Sequence, residues 1–160
     1  MPRSFRAELM PVDNPFDQNL IPRILMSLMA LAIAIGPMFA DFNKTHATNP
    51  LWPPHARFHV VWQVLTQAGI SVVALVLLWR ASPDYVLHLY LAAALIYVWL
   101  LTFFMTLASI KVYQGALRDV NGIEPFRFNI LGKVREVDTN LFGVVLFTAL
   151  NTVAALLIRG

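Results

Sequence analysis

Val60-Val61-Trp62-Gln63-Val64-Leu65-Thr66-Gln67-Ala68-Gly69-Ile70-Ser71-Val72-Val73-Ala74-Leu75-Val76-Leu77-Leu78-Trp79 contains no Asp, Glu, Lys or Arg. Its length matches the roughly 20 residues with which a helix crosses about 30 Å of hydrocarbon. The run is apolar almost throughout and lacks the period-2 alternation of a half-buried strand. Helix is the form that satisfies its own backbone N–H and C=O groups where no water can do so. Upstream, Pro54 suits the first helical position, where a missing N–H leaves no bond unmade. Helix is therefore expected from Pro54 to Trp79.

Three further runs read the same way: roughly Ile24–Ala40, Leu87–Ile110 and Leu141–Ile158. The first is the shortest, and Leu20 and Ile21 extend it backward across Pro22. The expectation is an all-α fold, an integral membrane bundle of four transmembrane helices with two long loops on one face. The helices fall at about 22–40, 54–79, 86–110 and 139–158, within a single transmembrane domain over residues 1–160. A cleaved signal peptide is the competing reading of the first run. The long polar lead-in and the large Met38 at the Met38-Phe39-Ala40 exit favour a retained helix.

Composition agrees. Of 160 residues, 58% are hydrophobic and 13% charged, against about 25% charged in an average soluble domain. A chain this small has much surface to cover, and lipid is the natural solvent for apolar surface. The net charge of +3 is scattered, without the clustered basic stripe of a nucleic-acid binder. With no cysteine, disulfides, thiolate nucleophiles and thiolate metal sites are excluded.

Arg80–Val86, with Ser82-Pro83-Asp84, is short and makes the second and third helices antiparallel neighbours. Residues 41–59 and 111–138 form the long connectors, and loops of that length are commonly functional. Arg3, Arg6, Arg23, Arg80 and Arg159 lie on the terminal face; Lys44, Arg57, Lys111, Arg118, Arg127, Lys133 and Arg135 lie on the other. The raw count favours cytoplasmic loops. The cations around the first helix, which often dominates, favour a cytoplasmic N-terminus, and that is the orientation taken. In the second long connector, Asn121-Gly122 is a turn signal. The alternating stretch after it suits an interfacial segment or a flap over a pocket.

Polar chemistry concentrates in Asp41–His59, which holds three of the four histidines. In a helix starting at Pro54, His55 and His59 are four apart and neighbours. Gln63 and Gln67 continue the row inward, and polar groups at that depth belong against protein or a wet cavity. Asp41, Asn43, Thr106, Ser109, Glu136, Asp138 and Asn140 are brought to the same end, with Thr148 and Asn151 deeper on the fourth helix. Two chemistries fit. His46, His55 and His59 offer neutral imidazoles to a divalent metal. Alternatively His55 and His59 act as acid–base groups oriented by Asp41 or Asp138. Arg57, Trp52, Gln63 and Asn151 are the candidate substrate contacts. The competing view is structural: His, Trp52 and Arg57 anchor the chain at headgroup depth, while the amides tie helices together. His88, at the other end, reads as an interfacial residue.

Asn49-Pro50-Leu51-Trp52-Pro53-Pro54-His55-Ala56-Arg57-Phe58-His59, with Asp41–His46 before it, resembles the signature of an uncharacterised family of small multi-pass membrane proteins from bacteria and fungi. The resemblance implies a membrane fold and carries no activity. A looser, architectural likeness is to the sterol-isomerase group, with His55, His59 and Asn151 as counterparts. The second intramembrane acid of that group has no counterpart here, since no Asp or Glu lies in the four runs. The functional expectation is a histidine-containing polar pocket at the long-loop end that binds or acts on a small apolar or lipid-like molecule. The alternative is a non-catalytic subunit or scaffold in an oligomer or larger membrane complex. The expected surroundings are the lipid bilayer, with no nucleic acid.

Overall fold

The computed structural model describes residues 18–118 and 122–160. Arg3, Arg6 and Asn121 lie outside them. Four helices dominate: α1 Leu20–Asp41, α2 Pro54–Trp79, α3 Tyr85–Ala108 and α4 Thr139–Leu156. All four are long and apolar enough to cross a membrane. A two-stranded antiparallel hairpin, β1 Phe126–Ile130 and β2 Lys133–Val137, precedes α4.

The helix ends have local causes. Pro22 falls in the first turn of α1, where it breaks no bond. α2 begins at Pro54, the first position the sequence marks as helical. Asp138 caps α4, its carboxylate accepting the Leu141 N–H at 3.0 Å. Pro37 sits inside α1; lacking an N–H, it leaves the Ile33 carbonyl without its ladder bond.

Each helix packs against the next in sequence, and α1 also packs against α4, which closes an up-and-down square. The core is built from Met26, Met29 and Ile33 of α1, Ala74 and Leu78 of α2, Leu89, Ala92, Ile96 and Leu100 of α3, and Val144 and Ala154 of α4. Alanines at α2, α3 and α4 let the backbones approach closely. Polar ties join the elements. Asn151 Nδ2 donates to the Ala93 carbonyl at 3.0 Å, and Trp79 Nε1 donates to Ser27 Oγ at 2.9 Å. Tyr97 OH and Thr152 Oγ1 lie 2.6 Å apart. Buried Arg23 donates from its guanidinium to the Leu78 carbonyl, pinning the start of α1 to the end of α2.

The hairpin lies within the second long connector, residues 111–138, in the alternating stretch expected there as an interfacial segment or a flap. Phe126, Phe128 and Ile130 alternate with Arg127 and Asn129, which suits a strand. Leu131 and Gly132 both have positive φ, 52° and 77°, as two-residue hairpin turns of the primed kind require. The tight turn therefore falls at Leu131-Gly132, ten residues beyond the Asn121-Gly122 signal. Arg127 Nε donates to Glu136 Oε1 at 3.0 Å across the strands. Phe126 stacks edge-on against Phe142 of α4, with ring centroids 5.1 Å apart.

Candidate functional site

Between the long connectors the bundle opens into a cavity of about 790 Å³, within the roughly 300–1,000 Å³ range of small-molecule sites. Gly36, Pro37 and Ala40 of α1, Gln63 and Gln67 of α2, Trp99 and Phe103 of α3, and Gly143, Val144 and Phe147 of α4 line its depth. Asp41, Asn43, Thr45 and His46 line it from the first connector, Leu117, Arg118 and Ile123 from the second, and Asp138, Thr139 and Asn140 at the entry to α4. The walls are aromatic and aliphatic inside and polar at the connector end. A Cβ added at Gly36 or Gly143 would meet nothing within 4 Å, so both glycines leave open volume.

A tight hydrogen-bonded turn follows α1. Asn43 Nδ2 donates to the carbonyls of Phe39 and Ala40, each at 2.9 Å, capping the end of the helix. Asn43 Oδ1 accepts the Thr45 N–H at 2.8 Å and lies 2.6 Å from Thr45 Oγ1. Thr45 Oγ1 in turn lies 2.7 Å from His46 Nδ1. Asp41 Oδ1 stands 3.7 Å from that same nitrogen. Trp52 packs edge-on against the His46 ring, centroids 5.1 Å apart. Arg118 is engaged by Glu124 at 2.9 Å and by Glu136 at 4.0 Å.

Gln67 is 7% exposed and lines the cavity, yet its Oε1 is buried without a hydrogen-bond partner. A buried amide without a partner costs about 1–3 kcal/mol. Rotating the amide by a half-turn exchanges its oxygen and nitrogen, so the group can offer either to an occupant. Gln63, one turn nearer the mouth, is more exposed and also lines the cavity.

His55 and His59 do share a helix face, with Nε2 atoms 3.0 Å apart and perpendicular rings. Both are exposed and neither lines the cavity. The reason is the helical pitch. Each step of four residues overshoots a full turn by about 40°, so three steps from His55 to Gln67 rotate the row by about 120°. The row His55, His59, Gln63, Gln67 thus winds from the outer surface into the cavity. His46 lines the cavity and His55 and His59 do not, and the only histidine–carboxylate pair among the described residues is His46 with Asp41. No group of three or more metal-ligating residues that could hold an ion occurs among the described residues. The expected metal set His46, His55 and His59 is therefore not gathered. Asp41 stands with His46 rather than with the His55–His59 pair.

Of the expected substrate contacts, Gln63 alone lines the cavity. Asn151 is fully buried as an α4–α3 tie, and Arg57 and Trp52 lie outside the lining, Trp52 behind His46. The sequence reasoning missed Arg118, Trp99 and the glycines Gly36 and Gly143. The one signal for the glycines was their placement inside apolar helical runs, where glycine costs roughly 0.5–1 kcal/mol relative to alanine.

No curated protein and no solved structure matches the chain. A family model does match, over residues 25–125. The matched region takes in α1 from Leu25 onward and all of α2 and α3, and with them Asp41, His46, Gln67 and Arg118. It covers more than half of the sequence, and the chain belongs to the family of unknown function DUF6640.

Proposed function

We propose that this protein is a multi-pass membrane protein that binds a small amphipathic molecule in the cavity at its long-loop end. The membrane part of the reading rests on surface chemistry. Within the apolar 18-residue stretch of each candidate span only 17–22% is buried inside the bundle, so long apolar side chains such as Leu28, Val72, Leu91 and Val145 face outward. Three threonines on the same outer surfaces are internally satisfied. Thr66, Thr102 and Thr152 each donate their hydroxyl to the carbonyl four residues back, all at 2.8 Å. That bond is the one a hydroxyl in hydrocarbon needs.

The observation that carries the binding reading is Gln67. Gln67, whose buried amide oxygen has no hydrogen-bond partner, lines a cavity large enough for a small molecule, between aromatic walls and a polar mouth. Its cost is removed by an occupant with a polar group, and the apolar walls select an occupant with an apolar body. Orientation follows the cations around α1, with the N-terminal side cytoplasmic. His46, supported by Asp41, replaces the His55–His59 pair as the histidine of the site. Of the Trp52–His59 signature, Trp52 packs against His46, while His55, Phe58 and His59 stand at the exposed start of α2.

The test is native mass spectrometry of protein released from nanodiscs. A bound small amphiphile is expected on the unaltered protein and is lost from Gln67→Leu, which fills the space with apolar atoms. Protein that carries no adduct, or an adduct retained by Gln67→Leu, overturns the reading.

A further inference from the structure

The hydrogen bonds around Asn43 fix which nitrogen of His46 carries a proton. Asn43 Nδ2 has both its hydrogens committed to the Phe39 and Ala40 carbonyls. Its Oδ1 faces the Thr45 backbone N–H. The amide orientation is thus set by backbone groups whose roles cannot change, and Oδ1 is an acceptor. Thr45 Oγ1, 2.6 Å from that oxygen, must donate its single hydrogen there, because two bare acceptors would repel at that distance. Toward His46 Nδ1, at 2.7 Å, the same hydroxyl has only a lone pair left. Nδ1 is therefore the protonated nitrogen. The Asp41 carboxylate 3.7 Å away favours the same tautomer, since a negative oxygen attracts an N–H and repels a lone pair.

That tautomer leaves the lone pair on Nε2, which has no hydrogen-bond partner among the described residues. Resting on the cavity reading above, we propose that His46 Nε2 is the acceptor for the ligand's polar head, and that the head group is a hydrogen-bond donor such as a hydroxyl. The rest of the mouth fits a donor. Asp41 and Asp138 line it as carboxylates, whereas its cation, Arg118, is held by Glu124 and Glu136. An anionic head would meet two carboxylates and a neutralised guanidinium. His46 is a binding residue in this assignment, and Thr45 and Asn43 are positioning residues that act through its tautomer.

The test uses the full chain in phosphatidylcholine nanodiscs and two brominated alkyl probes of equal length, one ending in a hydroxyl and the other in the methyl ether. Trp99 lines the cavity, so bound probe quenches its fluorescence, and Trp99→Phe removes that component. The alcohol is expected to bind about five- to tenfold more tightly than the ether, the worth of one hydrogen bond. His46→Phe should erase the difference while both probes still bind. Nitrogen-15 NMR of the histidine rings should show Nε2 as the unprotonated nitrogen of neutral His46, with Asn43→Ala weakening that preference. Equal affinities, or an unchanged difference in His46→Phe, overturn the donor assignment and leave the cavity reading standing. A proton on Nε2 overturns it independently of any probe. Failure of both probes to quench Trp99 overturns the cavity reading and takes this inference with it.

Discussion

Asn19 and Arg159 exchange two hydrogen bonds across 140 residues of sequence. Asn19 Nδ2 donates to the Arg159 carbonyl at 3.0 Å, and the Arg159 N–H donates to Asn19 Oδ1 at 2.9 Å. The amide of one residue thereby satisfies a backbone donor and acceptor beyond the end of α4, where a helix has no partners of its own. The pairing fixes the start of α1 beside the end of α4 and sets both opposite the two long connectors.

Because Asn19 is fully buried, removing its amide leaves those groups unmatched. Asn19→Ala should lower stability by about 1–3 kcal/mol, read by thermal or denaturant unfolding in micelles. Asn19→Asp keeps the acceptor but sets a buried carboxylate oxygen against the Arg159 carbonyl, and should lose at least as much. Equal stability of Asn19→Ala and the unaltered protein would remove the clasp from the account.

Sidedness follows from the same geometry. The chain has no cysteine, so single cysteines report cleanly. In the proposed membrane orientation, Ser82→Cys and Gly160→Cys should react with an impermeant maleimide from one side. Thr48→Cys and Lys133→Cys should react from the other. Ser82 and Thr48 labelling together would remove the four-span topology.

Gly143 offers a substitution whose effects on folding and on binding should have opposite signs. It is a helical glycine with open space where a side chain would go. Gly143→Leu should hold or raise thermal stability, since the helix gains up to about 1 kcal/mol in propensity. The new side chain enters the cavity, and alcohol-probe affinity should fall by about tenfold or more. Unaltered affinity would show that the ligand, if bound, sits elsewhere.

His55 and His59 supply the converse. Their exposed rings stand about 12 Å or more along the helix axis from Gln67. The double substitution to Ala should leave quenching of Trp99 within about twofold, as expected for sites that share no partners. A large loss would return the pair to the binding site.

Asn151 separates a tie from a contact. Its Nδ2 bonds the Ala93 carbonyl and it does not line the cavity. Asn151→Leu should destabilise the bundle by about 0.5–2 kcal/mol, the range for interhelical hydrogen bonds in bilayers, without changing the alcohol-over-ether preference. Loss of that preference with intact stability would reverse the assignment.

By itself the sequence determined the four apolar helices, the start of α2 at Pro54 and the end of the bundle at which polar groups gather. These are properties of composition and local backbone chemistry: runs free of charge, a proline without an N–H, connectors of unequal length. It also determined that Gln67 needs a polar surrounding, because an amide in an apolar run has no other place to go. Which histidine belongs to the cavity was decided only by the tertiary structure. Spacing of four made His55, His59, Gln63 and Gln67 look like one line, but a helix of 3.6 residues per turn winds that line around its axis. The packing of α2 against α1 and α3 then selects the arc that faces inward. His46 lacked any periodic signal, since its position depends on the Asn43–Thr45 turn after α1. Its partner Asp41 is set by the same turn. The hairpin was hidden for a related reason: positive φ at Leu131 is a choice the paired strands impose, and Leu alone does not announce it.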